Sequence, residues 1–162
     1  MGSKTVELRH EGGMRFVVGT ESGHDIVIDN AKGNTGPRPT ELVLAAIAGC
    51  TAMDVVDILA KKRQVVTGYH VTTSGVQRET PPNVYTDITV THSVEGDVET
   101  AAVRRAIQLS AEKYCTVSNQ VAAGPARISH RYVIRRPAES ALPVEESGEV
   151  VVTGPNRDVL AI

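Results

Sequence analysis

Two cysteines, Cys50 and Cys115, are the residues of this chain that could carry covalent chemistry. A thiolate can be oxidised to a sulfenic acid, and a second thiol can condense with that sulfenic acid to close a disulfide. Each cysteine ends a segment with a helical pattern, Gly36–Cys50 and Glu112–Cys115. If the two helices pack together, the thiols form a redox pair. If they do not, each cysteine is a small residue suited to packing.

A reactive thiol needs a nearby cation or helix N-terminus that favours the thiolate. Cys50 lies about ten residues inside its predicted helix, so the helix dipole contributes little. Arg15, on the polar face of a predicted strand, is the candidate cation. Glu41 reads as an ordinary acidic residue of a first helical turn. Alternatively, Glu41 orients an arginine, either Arg15 or Arg38.

Other chemistries find little support in the sequence. No two of the five histidines share a predicted helix one turn apart, and neither cysteine has a Cys-x-x-Cys partner. We therefore expect no metal and no cofactor. His130 alternates with core residues of a predicted strand and is expected to be a buried histidine with satisfied hydrogen bonds. No glycine-rich phosphate loop, nucleophile elbow or Ser/His/Asp set stands out.

The first elements that would position these residues follow from hydrophobic periodicity. Three short strands form a predicted meander, over residues 4–10, 14–18 and 24–29. A helix begins at Pro39, which suits a first turn, and continues to about Arg63. Its first half is apolar or small on nearly every face, so we expect it to be buried all round, at the centre of the fold or of a dimer.

The second half of the chain repeats the change from strands to helix. Its predicted elements are strands over 69–76 and 84–94, a helix over 97–114 with Asp97 as N-cap, helical turns over 117–122, and a strand over 128–134. The order βββ-α-ββ-α-(α)-β predicts an α+β fold, in which two antiparallel sheets frame central helices.

The composition changes after residue 136. Residues 137–162 hold five acidic residues and one basic residue, together with proline and glycine. We therefore predict a domain over residues 1–136 and an acidic tail over 137–162 that is loose or draped over the surface. Val150–Val152 and Val159-Leu160 are the parts of this tail that could dock as a short strand.

Length and charge limit the class of protein. A chain of 162 residues is long enough for one domain with a substantial core. A net charge of −2 without a basic stripe argues against nucleic-acid binding. The apolar run Leu42–Met53 is too short to cross a bilayer of roughly 30 Å. With no apparent signal peptide and only two cysteines, we expect a soluble, cytoplasmic protein in which a disulfide is transient.

Three motifs resemble the OsmC/Ohr family of thiol peroxidases: Gly12–Phe16, Pro37–Cys50 and Lys113–Ser118. The resemblance spans roughly residues 5–135 in order and leaves out the tail. It is nearer to the OsmC-like branch than to the organic hydroperoxide resistance proteins. The resemblance implies an intertwined homodimer with an OsmC-like fold and active sites at the subunit interface.

The resemblance also implies roles for the candidate residues. Cys50 would be the peroxidatic thiolate, Arg15 its activating cation, Glu41 the carboxylate that pairs with the arginine, and Cys115 the resolving cysteine. The implied substrates are organic hydroperoxides or hydrogen peroxide, and an external dithiol would reduce the disulfide. By this resemblance, no metal, haem or flavin is needed.

One position departs from the family pattern. In the organic hydroperoxide branch the carboxylate directly follows the proline of an Asn-Pro-Glu motif, whereas here Thr40 takes that place and Glu41 follows. Two hypotheses stay open. The first is a thiol-dependent peroxidase with a Cys50–Cys115 disulfide. The second is a non-enzymatic binding protein that holds a small apolar ligand at the dimer interface while the cysteines only pack.

Overall fold

The computed structural model describes residues 2–137 and 144–155 of the chain. The chain divides into two compact units, Met1–Val43 and Leu44–Ile162. Both contain an antiparallel strand arrangement, and the second also contains the helical segment that carries Cys115. The α+β class predicted from the sequence is confirmed.

The N-terminal unit is a three-stranded antiparallel meander. Its strands are β1 (Val6–His10), β2 (Phe16–Thr20) and β3 (Asp25–Ile28), in that order across the sheet. Gly12 and Gly13 form the first turn with φ values of 101° and 57°, a backbone region that glycine adopts without steric cost. The predicted meander is therefore confirmed, with Arg15 immediately before β2.

Helix α1 spans Pro39–Lys61, close to the predicted bounds. Four residues spaced one turn apart are buried along one stripe: Ile47, Thr51, Val55 and Leu59. The prediction that the first half of α1 is buried on all faces is wrong for the chain by itself, because Ala45, Ala46 and Gly49 are exposed. The exposed face continues into the second half at Met53 and Val56, which are 76% and 45% exposed. By length and composition the complete helix could cross a membrane, a test that core helices of soluble proteins also pass.

The C-terminal unit contains a four-stranded sheet. Its strands are β4 (Val65–Gln77), β5 (Tyr85–Asp97), β6 (Arg127–Arg136) and β7 (Val144–Thr153), in that order across the sheet. The sheet is mixed rather than antiparallel, since β5 and β6 run parallel. Parallel neighbours need a long crossover, and the helical segment between these two strands supplies it.

Strand β7 lies within the predicted acidic tail. It pairs antiparallel with β6, and its register includes Val151 opposite His130 and Val152 opposite Ser129. The part of the tail over 144–153 is thus an element of the sheet rather than a loose segment, and docking of Val150–Val152 as a strand is confirmed. Val159-Leu160 lies outside the described residues.

The crossover consists of α2 (Thr100–Leu109), a π-helical turn (Ser110–Tyr114) and α3 (Thr116–Ala122). The N-cap of α2 is Glu99. Asp97 was expected to cap this helix, but it is the last residue of β5, where it pairs with Val65 and so extends the strand. The core joins residues of α1, α2, β5 and β6: Val55, Leu59, Val94, Val98, Ala102, Val103, Ala106, Ile107, Tyr132 and Ile134.

Candidate active site

Helix α1 places Cys50 and Asp54 on the same side, since residues four positions apart are neighbours on a helix surface. The buried Thr51 lies between them in sequence and belongs to the stripe that anchors α1. Cys50 and Asp54 flank this stripe and are each partly buried. The anchoring of α1 therefore fixes a thiol and a carboxylate side by side, at the edge of the core.

Cys115 is positioned by the π-helical turn. Its backbone N–H donates to the carbonyl oxygen of Ser110, five residues earlier, at 2.9 Å. The chain then leaves helical geometry at Cys115, with φ −70° and ψ 96°, before α3 begins. The Cys115 sulfur accepts a hydrogen bond from the N–H of Ser118 at 3.3 Å. Single π-helical turns inside helices occur frequently at functional sites, and this one ends at a fully buried thiol.

The structure brings the two predicted cysteines together. The Sγ atoms of Cys50 and Cys115 and a carboxylate oxygen of Asp54 all lie within 4.8 Å of one another. The two thiols are free. A disulfide needs the sulfurs at about 2.05 Å. Closing the gap therefore requires only a small approach of the two side chains.

A short chain of hydroxyl groups holds the Asp54 carboxylate. The Ser110 hydroxyl donates to Oδ2 of Asp54 at 2.9 Å. Thr51 Oγ1 and Ser110 Oγ are also 2.9 Å apart. A serine hydroxyl has one proton, which Ser110 gives to Asp54, so Thr51 is the donor to Ser110. The carboxylate is thereby fixed through side chains from both α1 and the π-helical turn.

Burial keeps Cys115 protonated. Two effects raise the pKa of Cys115 to about 11: the larger is removal of the thiol from solvent, and the smaller is its interaction with the Cys50 side chain. The nearby Asp54 carboxylate adds a negative charge to the cluster, and that charge opposes a second one on a sulfur. Thiolate chemistry at this site consequently requires a cation from outside the cluster.

An open cleft lies next to the cluster. It has a volume of about 460 Å³, and its walls include Asp54, Ile58, Leu109 and Tyr114. Cys50 itself is partly exposed, whereas Cys115 is inaccessible. Of the two thiols, Cys50 is therefore the one that a solute can reach first.

Arg15 belongs to the N-terminal unit, where it is held by two partners. Its Nε donates to Oε2 of Glu11 at 3.1 Å, and its Nη1 donates to Thr35 Oγ1 at 2.7 Å. Thr35 passes its own proton to Oδ2 of Asp29 at 2.7 Å, and this bond is the main reason that the pKa of Asp29 is lowered. The network thus holds the Arg15 guanidinium in a fixed orientation just before β2, between the carboxylates of Glu11 and Asp29.

Glu41 lies in the first turn of α1 and caps that turn. Its Oε2 accepts from the backbone N–H of Arg38 at 2.8 Å, and this bond is the main cause of its lowered pKa. The arrangement is half of a capping box, in which a carboxylate in the first turn satisfies the N–H of the N-cap residue. Within residues 2–137 and 144–155, Glu41 also pairs with the Arg38 side chain, while no hydrogen bond joins it to Arg15.

The predicted burial of His130 is confirmed, but the predicted hydrogen bonds are not found. Neither ring nitrogen of His130 has a partner among the described residues. Its ring stacks on that of His92, with 6.1 Å between the ring centroids. A hydrogen bond of 2.6 Å joins His92 Nδ1 to the Tyr69 hydroxyl. Burial lowers the pKa of His130 to about 4 and that of His92 to about 3. Both rings are therefore neutral core groups.

Sequence reasoning missed Asp54 and Ser110. Asp54 could have been found, because it follows Cys50 by one helical turn. Ser110 gave no such signal, since its role depends on contact with residues more than fifty positions away in the chain. The absence of a Cys-x-x-Cys pattern likewise hid the three-donor cluster, whose members come from two separate elements.

The fold and the site define an α+β protein with a paired-thiol centre, one thiol on a long helix and the other after a π-helical turn. The chain belongs to the OsmC-like family: the family model for OsmC-like protein matches residues 31–131. It is 42% identical to protein YhfA of Escherichia coli over 123 residues, which are 75% of this chain and 91% of YhfA.

Solved structures agree with this assignment. A hypothetical protein from Aquifex aeolicus superimposes with a TM-score of 0.75 at 32% identity, over 85% of this chain and all of the other. The organic hydroperoxide resistance protein OhrB of Bacillus subtilis superimposes with a TM-score of 0.56 at 19% identity, over 81% of this chain and 98% of OhrB. The latter likeness is one of fold. The OsmC-like fold expected from the sequence motifs is confirmed.

Proposed function

We propose that this protein is a two-cysteine, thiol-dependent peroxidase that reduces organic hydroperoxides. The observation that carries the proposal is the proximity of the two sulfurs, within 4.8 Å, with one accessible and the other buried. A peroxidatic cysteine must be reached by substrate, whereas a resolving cysteine needs only to meet its partner. Cys50 and Cys115 divide these two requirements between them.

The reaction proceeds in three balanced steps. The Cys50 thiolate attacks the terminal oxygen of R–O–O–H, which breaks the O–O bond and gives a sulfenic acid and an alkoxide that takes a proton to become the alcohol. The Cys115 thiol then attacks the sulfenic sulfur, which forms the disulfide and releases water. An external dithiol reduces this disulfide and is itself oxidised to a disulfide. Hydrogen peroxide would follow the same path, with water in place of the alcohol.

We assign Arg15 as the cation that favours the Cys50 thiolate. The Asp54 carboxylate makes such a cation necessary, and the bonds from Arg15 to Glu11 and Thr35 hold its guanidinium in a defined orientation. Glu41 was the carboxylate expected to pair with the arginine. Its capping bond to Arg38 supports a role in starting the helix that carries Cys50, and Glu11 takes the pairing with Arg15.

We further propose that the protein acts as a cytoplasmic homodimer. Helix α1 exposes a face of small and apolar residues that includes Ala46, Gly49, Met53 and Val56. A Cβ built on Gly49 would meet no described atom within 4 Å, so another backbone has room to approach. An exposed apolar face of this kind is typical of an interface.

OhrB of Bacillus subtilis, which shares the fold, is named for organic hydroperoxide resistance.

The test is peroxide consumption by the full chain with an organic hydroperoxide and dithiothreitol. We expect Cys50→Ser to abolish consumption, while the parent accumulates a Cys50–Cys115 disulfide under oxidant, detectable as a loss of two free thiols. Cys115→Ser is the matched control, because it removes one thiol but leaves Cys50 to take up the first equivalent of peroxide. Consumption by Cys50→Ser at the rate of the parent would refute the proposal.

A second candidate function is binding of a small apolar ligand. The N-terminal unit contains an apolar cleft of about 410 Å³, whose lining includes Leu8, Met14, Phe16, Ile28 and Pro39. Clefts of this size with mainly apolar walls are typical of small-molecule sites. A fluorescent fatty-acid analogue that binds the parent and Cys50→Ser equally, in a protein that consumes no peroxide, would favour this function over the first.

A further inference from the structure

The thiol cluster contains more than a redox pair requires. Disulfide chemistry needs the two sulfurs, yet an oxygen of Asp54 lies within 4.8 Å of both. A carboxylate in that position is unfavourable for thiolate formation. Two sulfurs and one carboxylate oxygen within 4.8 Å of one another do, however, match the donors that zinc prefers.

We propose that the reduced pair Cys50 and Cys115, together with Asp54, forms a binding site for Zn²⁺. The inference is independent of the peroxidase function, since it requires only that the two thiols be reduced. On binding, each thiol forms a Zn–S bond and releases its proton to solvent, so one Zn²⁺ replaces two protons. The site is thus a property of the reduced protein.

The spacing of the donors is close to that of a zinc site. With Zn–S bonds of about 2.3 Å and Zn–O bonds of about 2.1 Å in tetrahedral geometry, the sulfurs lie about 3.8 Å apart and each sulfur about 3.6 Å from the oxygen. The present separations are all within 4.8 Å. A contraction of about 1 Å by side-chain rotation, which leaves α1 and the π-helical turn in place, brings the donors to bonding distance.

The third donor is already oriented. Oδ2 of Asp54 accepts the proton of the Ser110 hydroxyl, which is fixed in turn by Thr51. Hydrogen bonds of this kind to a ligating carboxylate orient it and strengthen metal binding. Within the part of the chain that the structure describes, no hydrogen bond to Oδ1 of Asp54 is recorded, so this oxygen is available to a cation.

The cleft beside Asp54 opens to solvent, and its walls include Ile58 of α1, Leu109 at the end of α2 and Tyr114 at the end of the π-helical turn. Three protein ligands and one open position for water are usual in reactive zinc sites. Thiolate sulfurs select zinc over magnesium and calcium, which bind oxygen donors almost exclusively.

Oxidation and zinc binding exclude each other at this site. A Cys50–Cys115 disulfide removes two of the three donors, whereas a bound Zn²⁺ occupies the lone pairs through which the thiols react. The diamide reagent takes one hydrogen atom from each thiol, is itself reduced to a hydrazine, and leaves the disulfide. Diamide treatment therefore abolishes the site without any peroxide and without a change in sequence.

The experiment is a titration of the reduced, metal-free full chain with Zn²⁺ in competition with a chromophoric chelator. We expect one ion per chain. Co²⁺ in place of Zn²⁺ should give the thiolate-to-cobalt charge-transfer band and the intense visible bands of tetrahedral cobalt. Cys50→Ser and Cys115→Ser should lose this signal. Asp54→Asn should weaken binding about tenfold or more, at least as much as the loss of a group that hydrogen-bonds a zinc ligand.

Asp57→Asn is the matched control, because it makes the same substitution about one turn further along α1. The Asp57 carboxylate pairs with Lys61 and is not a member of the thiol cluster. The variant should bind zinc as the parent does. Diamide-treated parent protein serves in place of Cys115→Ser if that variant does not give the circular dichroism of the parent. No zinc uptake by the reduced parent would overturn the proposal. Equal binding by Asp54→Asn and Asp57→Asn, or by the oxidised and reduced parent, would also overturn it.

Discussion

The arginine network of the N-terminal unit (Arg15, Glu11, Thr35 and Asp29) and the thiol cluster of the C-terminal unit are organised by opposite physical means. Arg15 and Glu11 are each about one-third exposed, at 35% and 34%, and their pairing depends on charge. Cys50, Asp54 and Cys115 are held by burial, hydroxyl groups and the geometry of two helical elements. Exposed ion pairs contribute little free energy and re-form easily, whereas buried polar clusters are fixed by their surroundings.

This difference indicates which part of the chemistry is built into the fold. The C-terminal unit by itself places two sulfurs and a carboxylate oxygen within 4.8 Å of one another, so the groups that the proposed disulfide and the proposed zinc site use are already together. Activation of Cys50 needs a cation, and the candidate belongs to a network that can exchange partners at low cost. We therefore expect substitutions in the thiol cluster to change the outcome of the reaction, and substitutions in the arginine network to change its rate.

The largest effect is expected from Cys115→Ser. The variant should consume organic hydroperoxide much more slowly than the parent in the presence of a dithiol, because the Cys50 sulfenic acid must then be attacked by the external thiol instead of the neighbouring Cys115. Mass spectrometry should detect oxygen added to Cys50. Sustained turnover at the rate of the parent would show that Cys115 does not resolve the sulfenic acid.

Arg15→Gln should slow the reaction of Cys50 with iodoacetamide about tenfold at neutral pH, since loss of the proposed activating cation lowers the fraction of thiolate. Arg38→Gln is the comparison, because Arg38 pairs with Glu41 and carries the same charge. Its effect should be smaller. If the two variants alkylate equally fast, Arg15 has no special role and the cation must be sought elsewhere.

The buried histidines predict how stability depends on pH. Their folded-state pKa values of about 3 and about 4 lie below the ordinary value of 6.5, so the unfolded chain binds more protons than the folded one between these values. Stability should be complete above pH 6.5 and should fall as the pH drops towards 4. At pH 5 each of the two histidines lowers the free energy of unfolding by about 2 kcal/mol relative to its value above pH 6.5.

Urea denaturation at pH 7 and pH 5 tests this dependence. His130→Leu should reduce the difference in unfolding free energy between the two pH values by about 2 kcal/mol, because it removes one of the two groups that take up protons on unfolding. His24→Leu is the control, since His24 is exposed. An unchanged difference in His130→Leu would mean that His130 is already protonated in the folded protein at pH 5.

The smallest effect is expected from Ser110→Ala. The substitution leaves the buried Thr51 hydroxyl without its acceptor and removes a donor from Asp54, at a cost of about 1 kcal/mol in unfolding free energy. The exposed Ser22→Ala should change stability by much less. Equal stability of the two variants would show that the hydroxyl chain does not hold Asp54 in place.

Much of the fold was predictable because its signals are local. Periodicity located the N-terminal meander, the long helix that begins at Pro39, and the strand that contains His130. The boundary at Asp97 was wrong because a side chain suited to an N-cap can also end a strand, and pairing with Val65 decided between the two. The parallel pairing of β5 and β6 and the docking of β7 depend on contacts between distant segments, which no local pattern contains.

The sequence by itself determined that the chain has two thiols on predicted helical segments, a candidate arginine on a predicted strand and motifs that resemble the OsmC/Ohr family. Only the tertiary structure decided that the sulfurs meet, that Asp54 and Ser110 join them, and that Glu41 caps its helix. The physical reason is that residue type and spacing fix which groups lie on one face of an element. Which faces meet is decided by burial of the core as a whole, here the stripe of α1 that brings Thr51 against Ser110.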